Sequence, residues 1–137
     1  MNTRTYTLQS SAKTEVIPVT ESLAALCADV EDGFALFYTP HTTAALILCE
    51  DDAELRDDIV KAAEAMFTPL RPFSHIRNNN PNTEAHLFSA MSGTQVIVAI
   101  EHGKLDLGTY QNLLFIELDG PKQREIRCKV WSAPPER

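Results

Sequence analysis

The chain has no excess of positive charge, no long apolar run and no paired-cysteine motif. Its 137 residues include 12 basic and 19 acidic side chains, for a net charge of −7. This balance argues against a nucleic-acid partner, because binding along a phosphate backbone requires a basic face. No apolar stretch approaches the ~20 residues that span a bilayer. The N-terminal segment MNTRTYTLQS also lacks the apolar core of a secretory signal, so we expect no membrane partner.

Cysteine is scarce and scattered. Cys27, Cys49 and Cys128 are an odd number and match no zinc or redox spacing. A reduced, cytoplasmic protein is the simplest interpretation. The hydrophobic fraction of 44% is sufficient for a core that needs neither disulfides nor a structural metal.

Hydrophobic periodicity predicts an α+β chain built around antiparallel strands. Strands are predicted over residues 3–9, 34–38, 42–48, 95–100, 113–118 and 125–131. Helices are predicted over 21–30, 51–67 and 84–92, with Thr20 as a cap for the first. All five glycines lie at boundaries between these elements. We therefore expect one domain over residues 1–137, an antiparallel β-sandwich-like core or barrel with two or three flanking helices.

Two connecting segments are candidates for a binding site. Residues 68–82 contain three prolines and four asparagines, and a loop of ~15 residues in a compact domain is usually functional or disordered. Whether this loop closes over a pocket stays open. Residues 101–121 place polar side chains beside a glycine-containing bend, which is typical of a pocket wall. Those side chains are His102, Lys104, Asp106, Thr109 and Gln111.

Three side chains offer the chemistry of a metal or acid–base site. His41 follows a proline that ends a strand, and such positions often direct side chains into sites. A histidine hydrogen-bonded within a loop explains His41 equally well. Glu84 and His86 face the same way in an extended segment but lie ~200° apart in a helix. Imidazole plus carboxylate suits zinc or a similar divalent ion, so His41, Glu84 and His86 are our candidate metal ligands and catalytic residues.

Other residues are weaker candidates. Nine residues of continuous strand would place Glu50 about 30 Å from its own His41. We expect Glu50 either to cap the helix that follows or to contact a neighbouring subunit. His75 and His102 are interpreted as surface residues, and Cys49 as a buried small hydrophobe.

Several short motifs occur together in a fixed order. They are HTTAAL at 41–46, a glutamate at 50, EAHL at 84–87, GKL at 103–105, LGTYQ at 107–111 and ELDGP at 117–121. In this order and spacing the chain resembles the YjbQ-like family, also described as secondary thiamine-phosphate synthases. The resemblance runs from about Thr39 to the final strand. Cys49, Tyr110 and His102 depart from it, because the family usually has Asn, Trp and Asn there.

The resemblance implies a homotrimer with a polar pocket near its subunit boundaries. It also implies a transferase that joins a pyrimidine pyrophosphate to a thiazole phosphate. By position, His41 and His86 match the family's site histidines and Glu84 matches an Asp or His. Beside them we predict four substrate-binding residues: Lys104, Thr109, Gln111 and Arg124.

Three functions therefore remain open from the sequence. The first is the thiamine-phosphate synthase reaction, with a divalent ion such as zinc or magnesium as the cofactor and no organic cofactor. The second is a metal-assisted hydrolase or lyase acting on another phosphorylated metabolite, with a metal-bound water as nucleophile. The third is a non-catalytic trimeric module that binds a small molecule.

Overall fold

A computed structural model describes residues 2–76 and 81–134. Within these ranges eight strands and three α-helices alternate along the chain. The strands are β1 (Arg4–Gln9), β2 (Glu15–Pro18), β3 (Gly33–Tyr38), β4 (Ala44–Cys49), β5 (Gln95–Glu101), β6 (Lys104–Leu105), β7 (Asn112–Glu117) and β8 (Gln123–Ser132). The helices are α1 (Thr20–Ala25), α2 (Ala53–Ala65) and α3 (Thr83–Ser92), and a short 3₁₀ turn spans Thr68–Leu70.

The strands form two antiparallel sheets. The larger has the order β1-β8-β3-β5-β6 and the smaller has the order β2-β7-β4. Apolar side chains such as Phe37, Phe115 and Ile126 fill the core between them. The predicted α+β class, an antiparallel β-sandwich-like core with flanking helices, is confirmed.

The smaller sheet is buried on both faces. Helices α2 and α3 cover its outer face through a second apolar cluster that includes Ala63, Phe88 and Ile116. Strand β7 is therefore buried along nearly its whole length. Burial on both faces explains why the sequence of β7 is a continuous apolar run, with no alternation of polar and apolar residues.

The sequence missed two short strands and misplaced one helix cap. Strand β2 pairs with β7 through a single proline-terminated stretch, and β6 has only two residues, so neither has a recognisable period. Thr20 does not cap α1. Its hydroxyl instead donates to Asn112 Oδ1 at 2.9 Å and accepts from the backbone N–H of Leu113 at 2.8 Å, which attaches α1 to β7.

Strand register divides the candidate site residues between two ends of the sandwich. Tyr38, the last residue of β3, lies opposite Gln95 at the start of β5, and Ala44 at the start of β4 lies opposite Glu117 at the end of β7. We call this the His41 end, because His41 connects β3 to β4. None of the helices in the described ranges has the length and apolar character needed to cross a membrane.

Candidate functional site

A buried ion pair lies at the His41 end of the sandwich. Arg124 donates from Nε to Glu117 Oε1 at 2.9 Å and from Nη2 to Glu117 Oε2. Their side chains are 4% and 0% exposed. The Nη2 group of Arg124 also donates to the carbonyl oxygen of Thr43 at 3.1 Å and to its hydroxyl at 2.9 Å. The guanidinium is thereby fixed between the two sheets.

The Glu117 carboxylate is fully hydrogen-bonded. Besides Arg124, its Oε1 accepts from the Ser10 hydroxyl at 2.7 Å. Its Oε2 accepts from the backbone N–H groups of Leu118 and Asp119, both at 3.0 Å. Burial by itself would raise the pKa of Glu117, but the bonds from Arg124 and Ser10 outweigh it and hold the pKa below its usual value. The carboxylate is therefore a permanent anchor for Arg124.

One nitrogen of Arg124 remains available to a ligand. Among the described residues none accepts a hydrogen bond from Nη1. No side-chain nitrogen or oxygen in the same ranges is both buried and unpaired, so Nη1 must reach an accessible surface. Arg124 lines a cavity of about 190 Å³ together with Thr7, His41, Gln123 and Glu125. We call this cavity the arginine lobe.

His41 lines the arginine lobe, and a hydrogen bond fixes the tautomer of its ring. Its Nε2 accepts a hydrogen bond from the backbone N–H of Glu125 at 3.1 Å. An accepting nitrogen carries no proton, so in the neutral ring the proton lies on Nδ1, which can donate to a ligand. Burial, and then the positive charge of Arg124, lower the pKa of His41. The ring is therefore a neutral donor at pH 7.

His41 also borders a second cavity, of about 370 Å³, which includes His86. We call it the histidine lobe. His86 lies on α3. Three residues that carry hydroxyl groups line the same cavity: Thr42, Ser89 and Thr94. The two histidines, 45 positions apart in sequence, thus meet at one cavity within a single protomer. The half-buried His41 ring is shared by both lobes.

Glu84 does not join the two histidines within the protomer. Residues 83–92 are helical, so Glu84 and His86 face different directions. Glu84 is ion-paired with Arg71, which donates from Nε at 2.5 Å, and it lines neither lobe. In the described ranges no three His, Cys, Asp or Glu side chains form a metal-binding group.

The donor chemistry of His41 also does not fit a metal. The lone pair on Nε2 is already used by the amide of Glu125, and the proton occupies Nδ1. A zinc or magnesium ion held by one protomer's His41, Glu84 and His86 would need that arrangement to be broken. No step below is routed through a metal.

Three of the four predicted substrate-binding residues lie away from both lobes. Lys104 lies in β6, beside the end of β5 remote from Gln95. The Gln111 side chain accepts from the backbone N–H of Gly108 at 2.8 Å and closes the local turn that contains Thr109. Only Arg124 belongs to the site that a single protomer forms.

Glu50 is also remote from His41 in the protomer. It follows Cys49, which lies opposite Asn112 at the start of β7, and Glu50 is exposed. The predicted capping role is wrong, because Asp52 caps α2 by accepting from the backbone N–H of Leu55 at 2.9 Å. Its predicted contact with a neighbouring subunit stays a prediction.

The interpretation of His75 as a surface residue is confirmed, because its side chain is exposed, but the sequence did not indicate the contact that its ring makes. Its ring lies against the ring of His86, with centroids 5.1 Å apart and planes at 81°. A loop histidine among prolines and asparagines carries no period that would reveal this contact. Only the packing of residues 71–76 beside α3 brings the two rings together.

Comparison with known proteins agrees with the fold. The family model described as UPF0047 protein YjbQ-like matches residues 4–133. A UPF0047 protein of Archaeoglobus fulgidus is 38% identical over 124 residues, covering 90% of this chain and 97% of that protein. A hypothetical protein of Aeropyrum pernix K1 has a similar structure, with a TM-score of 0.86 at 30% identity, covering 97% of this chain and 100% of that one. A Clostridium acetobutylicum structure described as yjbq/upf0047 family gives 0.85 at 30% identity, covering 93% and 99%. The chain therefore belongs to the YjbQ-like UPF0047 family.

Proposed function

We propose that the protein is a small-molecule transferase that joins a pyrimidine pyrophosphate to a thiazole phosphate, as the family resemblance implies. The observation that carries the proposal is the pair of lobes on either side of His41. One presents a buried guanidinium, the other a second imidazole and hydroxyl-bearing residues. A reaction between two substrates needs two adjoining subsites, and a phosphorylated substrate needs a fixed cation in one of them.

The chemistry is a displacement at carbon. The thiazole nitrogen forms a bond to the methylene carbon of the pyrimidine, the carbon–oxygen bond to the diphosphate breaks, and the electron pair departs with pyrophosphate. Arg124 Nη1 and His41 Nδ1–H are donors for the departing oxygens. Because Glu117 and the Glu125 amide fix both groups in advance, little reorganisation is needed as charge develops.

We propose in addition that the active form is a homotrimer. The outer face of the larger sheet carries Phe34 and Ile97, which are 42% and 66% exposed, and Trp131, which stacks on Phe34 at 4.9 Å. Glu125 of the arginine lobe and Trp131 lie six positions apart on β8, so they point to the same face of the sheet. A subunit covering this apolar face would border the arginine lobe. The free thiols of Cys27, Cys49 and Cys128 support a reducing, cytoplasmic setting.

The decisive experiment measures product formation from the two precursors by the wild type, His41→Gln and His86→Ala. Glutamine retains an acceptor for the Glu125 amide, so His41→Gln tests the imidazole without removing that bond. We expect turnover to be lost in both variants while the thermal unfolding midpoint stays nearly unchanged. A large fall in the midpoint would make the histidine structural instead.

Lys104→Ala is the matched control, because Lys104 lies outside both lobes. It should retain turnover if one protomer makes the site, and lose it if a neighbouring subunit brings Lys104 to the site. Titration with inorganic pyrophosphate separates the remaining outcomes. Binding without product from any precursor pair favours the non-catalytic binding module, and the absence of both binding and product overturns the proposal.

A further inference from the structure

The orientation of His86 needs an explanation, because its ring has no hydrogen-bond partner among the described residues. Its backbone N–H donates to the carbonyl oxygen of Asn82 at 3.2 Å, which holds the backbone but not the ring. Among the described residues, such a ring has only packing contacts. One of them is the edge-to-face arrangement with His75, in which the edge of one ring meets the face of the other.

His75 itself is held through a polar relay. Its Nε2 lies 3.2 Å from Asn82 Oδ1, and Asn82 Nδ2 donates to Asp119 Oδ2 at 3.3 Å. Because an ionised carboxylate only accepts, the amide nitrogen of Asn82 must face Asp119 and its oxygen must face His75. His75 Nε2 therefore carries a proton and donates it to Asn82.

The far end of the relay is firmly fixed. Asp119 is 8% exposed and ion-paired with Lys122 at 3.0 Å and with Lys13 at 3.4 Å. Burial by itself would raise the pKa of Asp119, but the bonds from Lys122 and Asn82 lower it below its usual value, so the carboxyl stays ionised. The backbone of His75 is held as well, because its carbonyl oxygen accepts from the Thr83 hydroxyl at 2.9 Å.

We propose that His75 is a positioning residue, and that the relay from Asp119 through Asn82 to His75 sets the orientation of the His86 imidazole in the histidine lobe. The proposal deepens the proposed function, since it requires His86 to act on a ligand there. It assigns a role to the 68–76 part of the loop, which contributes an aromatic support for a site residue on α3. His75 touches His86 and acts through it.

Asn82→Ala tests the relay without altering either ring. The Asn82 side chain makes no capping bond to α3, so the substitution leaves the start of the helix intact. Imidazole NMR spectra of ¹⁵N-labelled wild type, Asn82→Ala and His75→Ala, all at one pH, report on the ring of His86 directly. We expect cross-peaks between the His75 and His86 ring protons in the wild type. In Asn82→Ala the His86 resonances should move and these cross-peaks should weaken.

His102 is the internal control, because it lies in the β5–β6 turn away from the relay, and its resonances should not move. His86 resonances that are unchanged in both variants would overturn the proposal. This measurement needs no substrate, so it remains decisive even if the proposed reaction is not catalysed.

Kinetics provide the second arm. With active wild type, Asn82→Ala and His75→Ala should lower kcat several-fold with little change in KM, because a misoriented His86 affects the reaction more than binding. His75→Phe keeps an aromatic edge against His86 and should recover part of the lost kcat. Moved His86 resonances with an unchanged kcat would overturn the positioning role.

Discussion

Arg124 and Glu117 are two opposite charges buried together where the two sheets meet at the His41 end. Glu117 comes from the last position of β7 and Arg124 from the second position of β8. The pair connects a strand of the smaller sheet to a strand of the larger one. It also holds the guanidinium that borders the arginine lobe, so one contact serves both stability and the site.

Removing one member of this pair should be strongly destabilising. Glu117→Gln keeps the size of the side chain but replaces one acceptor oxygen with an NH2 donor and leaves Arg124 as an uncompensated buried charge, a change that costs about 3–5 kcal/mol. Urea unfolding measures the loss. Arg127→Gln is the control on the same strand, because the Arg127–Glu125 pair is 40% and 34% exposed and such surface pairs contribute about 0–1 kcal/mol. Equal losses in the two variants would contradict the structural role of Glu117.

The folded protein should become less stable as the pH falls past the usual pKa of histidine. The pKa of His41 is lowered by burial and by Arg124, so the unfolded chain binds a proton first, at about pH 6.5. Between the lowered folded pKa and about pH 6.5, stability therefore rises with pH and then levels off. Urea unfolding at several pH values in this window measures how the free energy of unfolding changes with pH. We expect this change to be smaller in His41→Gln than in the wild type. An equal pH dependence in the two proteins would show that His41 does not contribute to the change in stability.

Binding of an anion in the arginine lobe should raise the pKa of His41. The positive charge of Arg124 disfavours the protonated ring of His41, and a negative charge bound beside Arg124 counteracts that effect. An NMR titration of the His41 ring with and without inorganic pyrophosphate measures the shift. If pyrophosphate binds and the pKa of His41 stays the same, the anion is bound elsewhere.

Cys49 should react with a thiol reagent before the other cysteines. It is partly exposed, whereas Cys27 and Cys128 are buried with their Sγ atoms 3.8 Å apart. The contact with Cys27, and then burial, also raise the pKa of Cys128, which suppresses its thiolate. A chromogenic disulfide reagent should therefore titrate one thiol in the native protein and three in denaturant. Rapid reaction of three native thiols would contradict the buried placement of the pair.

Asp52, not Glu50, should contribute to the stability of α2. Asp52→Ala removes the side-chain acceptor for the Leu55 N–H and should cost about 0.5–2 kcal/mol. Glu50→Ala should leave the unfolding free energy nearly unchanged, because Glu50 is exposed and caps no helix. A comparable loss in Glu50→Ala would restore the capping role expected from the sequence.

The contrast between α2 and α1 shows what local pattern can predict. An apolar stripe at helical spacing and an acidic first turn identify α2 within two residues at each end, since both signals are local. The cap of α1 is different, because the hydroxyl of Thr20 bonds instead to Asn112 and Leu113 on β7, more than ninety positions away. Nothing in the neighbouring sequence indicates that alternative.

The sequence by itself determined the longer strands and the helices, the family and the identity of His41, His86 and Arg124 as site candidates, because periodicity and motifs can be read from the sequence without knowing the contacts. The tertiary structure alone decided which candidates meet. Strand register put Lys104 outside both lobes of the protomer, and the turn at residues 108–111 put Thr109 and Gln111 outside them. The helical form of residues 83–92 turned Glu84 away from His86. The packing of residues 71–76 beside α3 brought His75 to His86. Such contacts depend on the distances between segments remote in sequence, and only the packing of the two sheets and α3 determines them.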